Sequence, residues 1–204
     1  SPLWDLCQEA FQEWYLGDEK YRESTGQEPR QPGKRGFLHD EIPIVPPEEM
    51  RRFFARLRDM GVEIGIGTGR PTVETMEPLA DLGILDYFSP DRIITASDVL
   101  NTERRFPERA PLAKPQPYTY LKGLLGKNTP DEEVFATPLP LENGDGILIV
   151  GDSVADLMAA RTMGCKFCAT LTGLSGAAAR KSFEELGADY IVDHVLQVVN
   201  LIEK

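Results

Sequence analysis

Cysteine and histidine are scarce in this chain of 204 residues, which contains three cysteines and two histidines. An odd number of cysteines does not make a complete disulfide framework, and the chain has a single CxxC spacing, at Cys165 and Cys168. No second CxxC accompanies it to complete a zinc site. The pair follows a predicted helix and enters an apolar run, which disfavours a redox role. We predict that both are small apolar residues of a strand, in a reducing compartment such as the cytoplasm.

Long apolar runs and excess positive charge are also lacking. No run approaches the roughly 18 apolar residues that would span a membrane, and residues 1–10 lack the basic start of a secretory signal. The chain has 22 basic against 33 acidic residues and a net charge of −11. Such a field repels nucleic acid and anionic lipid, so neither partner is expected. A phosphate site would need local cations or backbone N–H groups.

The first 38 residues differ in texture from the rest. Apolar residues recur at spacings of three and four from Leu3 to Tyr15, which predicts an amphipathic helix with a wide apolar face. Residues 27–36 contain prolines and glycines that break regular structure. We predict a linker or an exposed loop there.

From about residue 42 onwards, short apolar strands alternate with helices. The predicted strands cover residues 62–67, 92–96, 147–150, 167–171 and 190–192. The predicted helices cover residues 47–60, 71–82, 116–125, 153–163 and 175–186, with a last helix from residue 193 and an irregular stretch at 128–146. This alternation predicts an α/β fold with a parallel sheet covered by helices on both faces. Ligands of such sheets bind beyond the carboxyl ends of the strands.

The first candidate loop is Gly67-Thr68-Gly69-Arg70-Pro71, which follows a predicted strand. A hydroxyl between two glycines allows backbone N–H groups and the Thr68 side chain to approach a phosphate oxygen. A helix that begins near Pro71 adds its positive end. An ordinary strand-to-helix turn is the alternative, and a dinucleotide fingerprint is excluded because its third glycine is missing.

The second candidate is Lys114, which lies just before a predicted helix. Pro115 keeps Lys114 outside that helix, and a lysine held there can bind a phosphate or pair with carboxylates of a neighbouring loop. The alternative is a solvated surface lysine.

The third loop, Gly151-Asp152-Ser153-Val154-Ala155-Asp156, follows a fully apolar strand. A carboxylate at the end of a buried strand must be paired, hydrogen-bonded or bound to a cation. One helical turn brings Asp152 and Asp156 to the same side, and two converging carboxylates suit Mg²⁺. The alternative for Asp152 is an N-cap of the following helix.

Taken in order, Thr68, Lys114 and Gly151-Asp152-Ser153-x-x-Asp156 resemble the second, third and fourth signature motifs of the haloacid dehalogenase (HAD) superfamily. The resemblance spans residues 42 to 204 and is closest to capped members of the phosphoglycolate phosphatase and phosphomutase type. It implies a Rossmann-like core in which Thr68 and Lys114 hold the transferring phosphoryl group, with Gly69 and Arg70 beside them. It also implies that Asp152 binds Mg²⁺ and that Asp156 helps to position the lysine and the metal.

The sequence departs from the family in one respect. The first motif of the family, Asp-x-Asp-Gly on a central strand, supplies the nucleophile and the acid/base, and it does not occur in the chain. Residues 1–38 resemble part of an inserted helical cap with its linker, and residues 39–204 resemble the α/β core without its first strand. We therefore expect the missing strand upstream of Ser1, and we expect the 204 residues alone to be inactive.

These features predict a magnesium-dependent phosphohydrolase that acts on a small phosphorylated metabolite through an aspartyl-phosphate. The alternative is a binding or regulatory protein that keeps the HAD fold without catalysis. A receiver-like signalling domain also shares the parallel sheet, but it needs an acidic cluster on early strands and about half this length.

Overall fold

A computed structural model of the chain describes residues 2–202, apart from the side chains of Trp4 and Asp5. Ser1, Glu203 and Lys204, at the ends of the two predicted segments, lie outside the described residues. Five short strands run through this range: β1 (Ile66–Gly67), β2 (Ile93–Ile94), β3 (Leu148–Gly151), β4 (Lys166–Thr170) and β5 (Tyr190–Val192). The α-helices are α1 (Pro2–Thr25), α2 (Pro47–Asp59), α3 (Thr72–Asp81), α4 (Ala96–Arg105), α5 (Tyr118–Leu125), α6 (Asp131–Ala136), α7 (Val154–Met163), α8 (Arg180–Glu185) and α9 (Val199–Ile202).

The strands form two parallel sheets. β1 pairs with β2, and β3, β4 and β5 pair in that order, so the predicted parallel arrangement is confirmed. Within residues 2–202 no backbone ladder joins β1 to β3. The predicted strand at 62–67 is mostly wrong, because only Ile66 and Gly67 enter a ladder. One edge of this segment has no strand beside it, which removes half of the hydrogen bonds that would extend it.

Helices cover both faces of the sheets, as predicted. On one face, α2 buries Phe53, Phe54 and Leu57 in a core that also contains Ile93 and Cys168. On the other face, side chains of α5 and α7 pack with apolar residues of β2, β3 and β4. Each core contains residues from both sheets, so the helices hold the two sheets side by side without a shared ladder.

Two helices were not predicted. α4 begins with a capping box in which the side chains of Thr95 and Asp98 bond each other's backbone N–H groups. α6 lies in the stretch predicted to be irregular, and it begins directly after Pro130. Asp131 in its first turn is buried and accepts hydrogen bonds from Tyr118 and Lys122 of α5. This contact between side chains stabilises a helix that is too short to show a periodic pattern.

Two further features of the sequence analysis concern the two cysteines of the CxxC spacing and the length of the apolar helices. Cys165 and Cys168 are buried free thiols, but only Cys168 lies in a strand as predicted, because Cys165 comes directly before β4. Burial raises the pKa of both thiols to about 11. No helix within residues 2–202 has the length and apolar character to cross a membrane.

The segment predicted to be a linker folds back onto α1. The Glu13 carboxylate accepts a hydrogen bond from the backbone of Arg30 at 2.9 Å and pairs with Lys34 at 2.9 Å, and both side chains are buried. Asp18 accepts from the backbone of Gly33 at 2.6 Å. The apolar face of α1 is largely exposed, since Leu3 is 70% exposed and Phe11 is 62% exposed. Residues 2–38 are therefore an ordered helix with an ordered return loop.

The return loop crosses α1 where two glycines meet. Gly17 (φ 76) interrupts α1, and Gly36 (φ 83) faces it. A Cβ atom on Gly36 would lie 2.5 Å from the carbonyl oxygen of Leu16. Because the obstacle is backbone, a larger residue at position 36 forces the two segments apart.

We predict that Gly36→Ala destabilises the N-terminal segment more than Gly26→Ala does. Both glycines have positive φ, but a Cβ on Gly26 meets nothing within 4 Å. The conformational penalty of about 1 kcal/mol should appear in both variants, and the backbone clash should add to it only at position 36. The measurement is the free energy of local opening from hydrogen exchange of the α1 amides. Equal losses in the two variants would contradict a close crossing.

Candidate active site

Lys114 brings together the loops that follow two strands of different sheets. Its Nζ atom lies 2.8 Å from Oδ1 of Asp156, in the first turn of α7, and 3.5 Å from the carbonyl oxygen of Gly67, at the end of β1. The lysine side chain is 22% exposed, so it is held by these partners without being fully buried. The predicted convergence of the Thr68 loop, Lys114 and the Asp156 loop is therefore present.

Asp156 is the most fully bonded side chain of the site. Its Oδ1 atom accepts from Lys114 and from the Tyr120 hydroxyl at 2.7 Å, and its Oδ2 atom accepts from the Ser153 hydroxyl at 2.8 Å and the Ser153 backbone at 3.2 Å. The residue is 3% exposed. Burial raises its pKa, but the hydrogen bonds from Lys114 and Tyr120 outweigh burial and leave the pKa below its usual value. Asp156 is thus an ionised anchor for Lys114.

Tyr120 belongs to the site, although it was not singled out in the sequence. It donates to Asp156, and the Lys114 ammonium lies 5.5 Å from the centre of its ring. Burial and the charge of Asp156 raise its pKa, so the phenol remains a donor. Gly67 lies against this ring, since a Cβ there would be 2.7 Å from a ring carbon. No spacing rule connects Tyr120 with Asp156, because they belong to different helices.

Asp152 stands apart from these bonds. The N-cap of α7 is Ser153, whose side chain accepts from the backbone of Asp156, so the alternative of Asp152 as the cap is wrong. Within residues 2–202, no hydrogen bond or ion pair joins the exposed Asp152 carboxylate to another side chain. Gly173, after β4, lies against it, and a Cβ there would be 2.4 Å from Oδ2.

The carboxylates of the site suit a hard cation only in part. The described residues contain no group of three His, Cys, Asp or Glu side chains that could hold a metal ion. Mg²⁺ takes one or two protein carboxylates and completes its shell with water and substrate phosphate. An accessible, unpaired Asp152 fits that requirement, whereas both oxygens of Asp156 are already engaged. The assignment of Asp152 and Asp156 as metal ligands stays a prediction.

Thr68 and Gly69 follow β1, and the Arg70 side chain is bound by Glu41 and Tyr15. The Thr68 backbone donates to Ile94 of β2 at 3.0 Å, and its Oγ1 accepts from the Arg70 backbone at 3.1 Å. Gly69 is exposed. The Arg70 guanidinium pairs with Glu41 at 2.7 Å and donates to the Tyr15 hydroxyl. The predicted binding of phosphate by Arg70 remains untested.

We predict that Asp156→Asn and Tyr120→Phe both destabilise the fold, the first more strongly. Loss of the charge partner of Lys114 should lower the free energy of unfolding by about 1–3 kcal/mol, which is less than for a fully buried pair because Lys114 is partly exposed. Loss of the hydrogen bond from the Tyr120 hydroxyl should lower it by about 1.5 kcal/mol. Urea unfolding at neutral pH measures both losses. An Asp156→Asn variant as stable as the parent would contradict the anchoring role.

The same carboxylate predicts a dependence on pH. The folded-state pKa of Asp156 lies below its usual value, so its contribution is present above about pH 4 and is lost as the pH falls through the lowered pKa. The stability difference between the parent and Asp156→Asn should therefore be constant near neutral pH and shrink below about pH 4. Urea unfolding at several pH values checks this.

Comparisons with known proteins identify a family. The model of the haloacid dehalogenase-like hydrolase family matches residues 8–164, which is more than half of the chain. No curated protein matches the chain in sequence.

Solved structures share the fold. An X-ray structure from the Northeast Structural Genomics Consortium is 40% identical, with a TM-score of 0.90 over 98% of this chain and 53% of its own length. A protein assigned as a β-phosphoglucomutase, from Thermotoga maritima, is 19% identical with a TM-score of 0.50, covering 75% of this chain and 57% of its own. A predicted phosphatase from Clostridium acetobutylicum is 15% identical with a TM-score of 0.54, covering 91% of this chain and 68% of its own.

The chain thus spans about half the length of the structure that it matches at 40% identity. The matched residues include the three candidate loops at 67–71, 114 and 151–156, and the family agrees with the parallel sheets covered on both faces. The chain belongs to the haloacid dehalogenase-like hydrolase family.

Proposed function

We propose that the protein is a magnesium-dependent phosphohydrolase that acts on a small phosphomonoester. The observation that carries this proposal is the position of Lys114, which contacts both the end of β1 and Asp156. An ammonium group that contacts the end of β1 and Asp156, together with an unpaired Asp152 directly after β3, would provide positions for a phosphate and a cation.

The phosphate would be held by Lys114, the Thr68 hydroxyl and the backbone of Gly69. Lys114 supplies a positive charge, and the Thr68 hydroxyl and the Gly69 N–H supply hydrogen-bond donors, in a chain whose net charge is −11. The Asp156 and Tyr120 bonds fix the ammonium in place before the ligand arrives, so little side-chain entropy is lost on binding. This arrangement favours binding of an anionic phosphate group.

The gap between the two sheets is the proposed place of the nucleophile strand. β1 and β3 each leave one edge without a ladder within residues 2–202, yet side chains from both strands contribute to one core. Leu148 and Val150 of β3 are only partly buried, whereas Phe167 and Cys168 of the central β4 are fully buried. An extended segment between β1 and β3 would pair both edges and cover these residues. We propose that residues upstream of Ser1 provide it.

The chemistry would then be transfer of the phosphoryl group in two steps. A carboxylate oxygen of the upstream strand attacks phosphorus, the ester P–O bond breaks, and the departing alkoxide takes a proton from a neighbouring acid. Water then attacks the phosphorus of the aspartyl-phosphate and releases inorganic phosphate and the free carboxylate. Lys114 and Thr68 hold the equatorial oxygens through both steps.

Asp152 would supply a protein ligand for Mg²⁺. The bound ion would neutralise charge on the phosphoryl oxygens. Asp156 contributes through Lys114, because its oxygens already accept four hydrogen bonds.

A second candidate function is binding without catalysis. The observation that favours it is the lack of any Asp-x-Asp-Gly sequence among the 204 residues. The gene sequence directly before Ser1 separates the two candidates, since an apolar strand ending in Asp-x-Asp-Gly supports the enzyme. The 204 residues alone should be inactive in either case. The free cysteines are compatible with our proposal of a cytoplasmic location.

We predict that Asp152→Asn abolishes magnesium-dependent hydrolysis of p-nitrophenyl phosphate by the complete protein and leaves its stability unchanged. The removed charge is exposed and has no salt-bridge partner among residues 2–202, so the fold does not depend on it. Magnesium titration by calorimetry should show loss of binding in Asp152→Asn and a smaller effect in Asp156→Asn. Full activity of Asp152→Asn would exclude it as the metal ligand.

The phosphate contacts predict a separate result. Thr68→Val and Lys114→Met should each weaken competitive inhibition by inorganic phosphate, Lys114→Met by about 10-fold or more because a charged hydrogen bond is lost. Thr129→Val is the matched control, since its hydroxyl bonds only a backbone carbonyl at the end of α5. Unchanged inhibition in both site variants would show that the phosphate binds elsewhere.

A further inference from the structure

Tyr15, Glu41 and Arg70 form a cluster that joins α1 to the Thr68 loop. The Tyr15 hydroxyl donates to Oε1 of Glu41, and Nη2 of Arg70 donates to the same oxygen at 2.7 Å. Arg70 also donates to the Tyr15 hydroxyl, and its guanidinium carbon lies 5.6 Å from the centre of the Tyr15 ring. Each of the three side chains thus contacts the other two.

The positive charge of Arg70 is balanced by an acidic group within the cluster. Burial and the bond to Glu41 raise the pKa of Tyr15 to about 12, so Tyr15 remains a donor. Burial raises the pKa of Glu41, but the hydrogen bonds from Arg70 and Tyr15 lower it by more. The net pKa lies below its usual value, so Glu41 stays ionised. Glu74, on α3, is a second buried acid, and burial raises its pKa although the charge of Arg70 opposes the rise. The guanidinium charge is therefore matched by protein groups.

The backbone of Arg70 connects this cluster to the phosphate loop, which is the candidate phosphate-binding loop at residues 67–71. Its N–H donates to Oγ1 of Thr68 at 3.1 Å, and its carbonyl accepts from Ala96 at 3.0 Å, beyond the end of β2. The side chain of Arg70 is held by α1 while its backbone holds Thr68. Arg70 therefore links α1 to Thr68 through both its side chain and its backbone.

We propose that the Tyr15–Glu41–Arg70 cluster is a positioning contact, which fixes the N-terminal segment relative to the phosphate loop and so sets substrate affinity. The proposal rests on the proposed phosphohydrolase function and adds to it a role for Arg70 that differs from direct binding of phosphate. In this role Arg70 does not touch the phosphoryl group. Because Thr68 would hold the phosphoryl oxygens equally in the bound substrate and in the transition state, the effect of Arg70 falls on KM and leaves kcat unchanged.

Tyr15→Phe and Glu41→Gln test the cluster without altering Thr68, Lys114 or Asp152. Tyr15→Phe removes the hydroxyl and keeps the ring, and Glu41→Gln removes the charge and keeps the shape. In the complete protein, KM for p-nitrophenyl phosphate should rise about 2- to 5-fold in each variant while kcat stays within about 2-fold. The matched control is Arg22→Gln, which breaks an exposed ion pair with Glu28 inside the N-terminal segment and should change neither constant.

Glu41→Gln separates the two roles of Arg70 by the sign of its effect. If Arg70 binds the phosphate directly, removing its acidic partner frees the cation, and both KM and the inhibition constant for inorganic phosphate should fall. That result would overturn the proposal. A loss of kcat at constant KM, or values equal to those of Arg22→Gln, would overturn it as well.

Hydrogen exchange distinguishes failure of this proposal from failure of the proposed function. Amides of α1 and of residues 66–72 should exchange faster in Tyr15→Phe and Glu41→Gln than in the parent and in Arg22→Gln. A complete protein without phosphatase activity would end the proposed function, and faster exchange at both places would still support the positioning contact. Unchanged exchange in both variants would overturn it, whatever the activity.

Discussion

The buried carboxylate of Asp156 is the interaction on which the candidate site depends. Its oxygens accept hydrogen bonds from the lysine before α5, a phenol of α5 and the residue that caps α7. A carboxylate that is 3% exposed is tolerable only when such donors replace water. In return it holds the Lys114 ammonium at the edge of the sheets, where a second carboxylate, Asp152, remains accessible. Asp156 is thus bonded within the protein, whereas Asp152 has no side-chain hydrogen bond or ion pair among residues 2–202.

The division of the strands into two sheets is the second constraint. Parallel strands are normally buried in one continuous ladder, but β1 and β3 are joined here through helices and side chains. α5 contributes to this join, because Tyr118 and Leu121 share a core with Ile94 of one sheet and Ile149 of the other. Helical packing therefore fixes the separation of the strand ends, and the site spans that separation.

The sequence predicted the parts of this arrangement that depend on local pattern. Short apolar runs ending in polar residues marked β3, β4 and β5 and the loops with Thr68 and Asp152. It could not predict the direction of Arg70, which is set by Tyr15, 55 residues away, or the role of Tyr120, which is set by an acid 36 residues later. The predicted strand at 62–67 shortened to two residues because strand length depends on a partner at each edge. α6 was missed because Asp131, a buried acid, stabilises it in place of an apolar stripe.

The N-terminal part of the chain contacts α3 and the loop that leads into it. Lys20 forms an ion pair with Glu77, and His39 bonds Asp81. Val73 packs against a small apolar cluster of Leu16, Tyr21 and Leu38. Glu77, Asp81 and Val73 all belong to α3. Arg70 adds a contact on the loop that leads into α3. Thr68 is therefore mechanically linked to α1, whereas Asp156 is anchored on α7, and Lys114 contacts the ends of both sheets. A displacement of α1 would therefore move the Thr68 loop relative to Asp156, and under the proposed function it would change the affinity for phosphate.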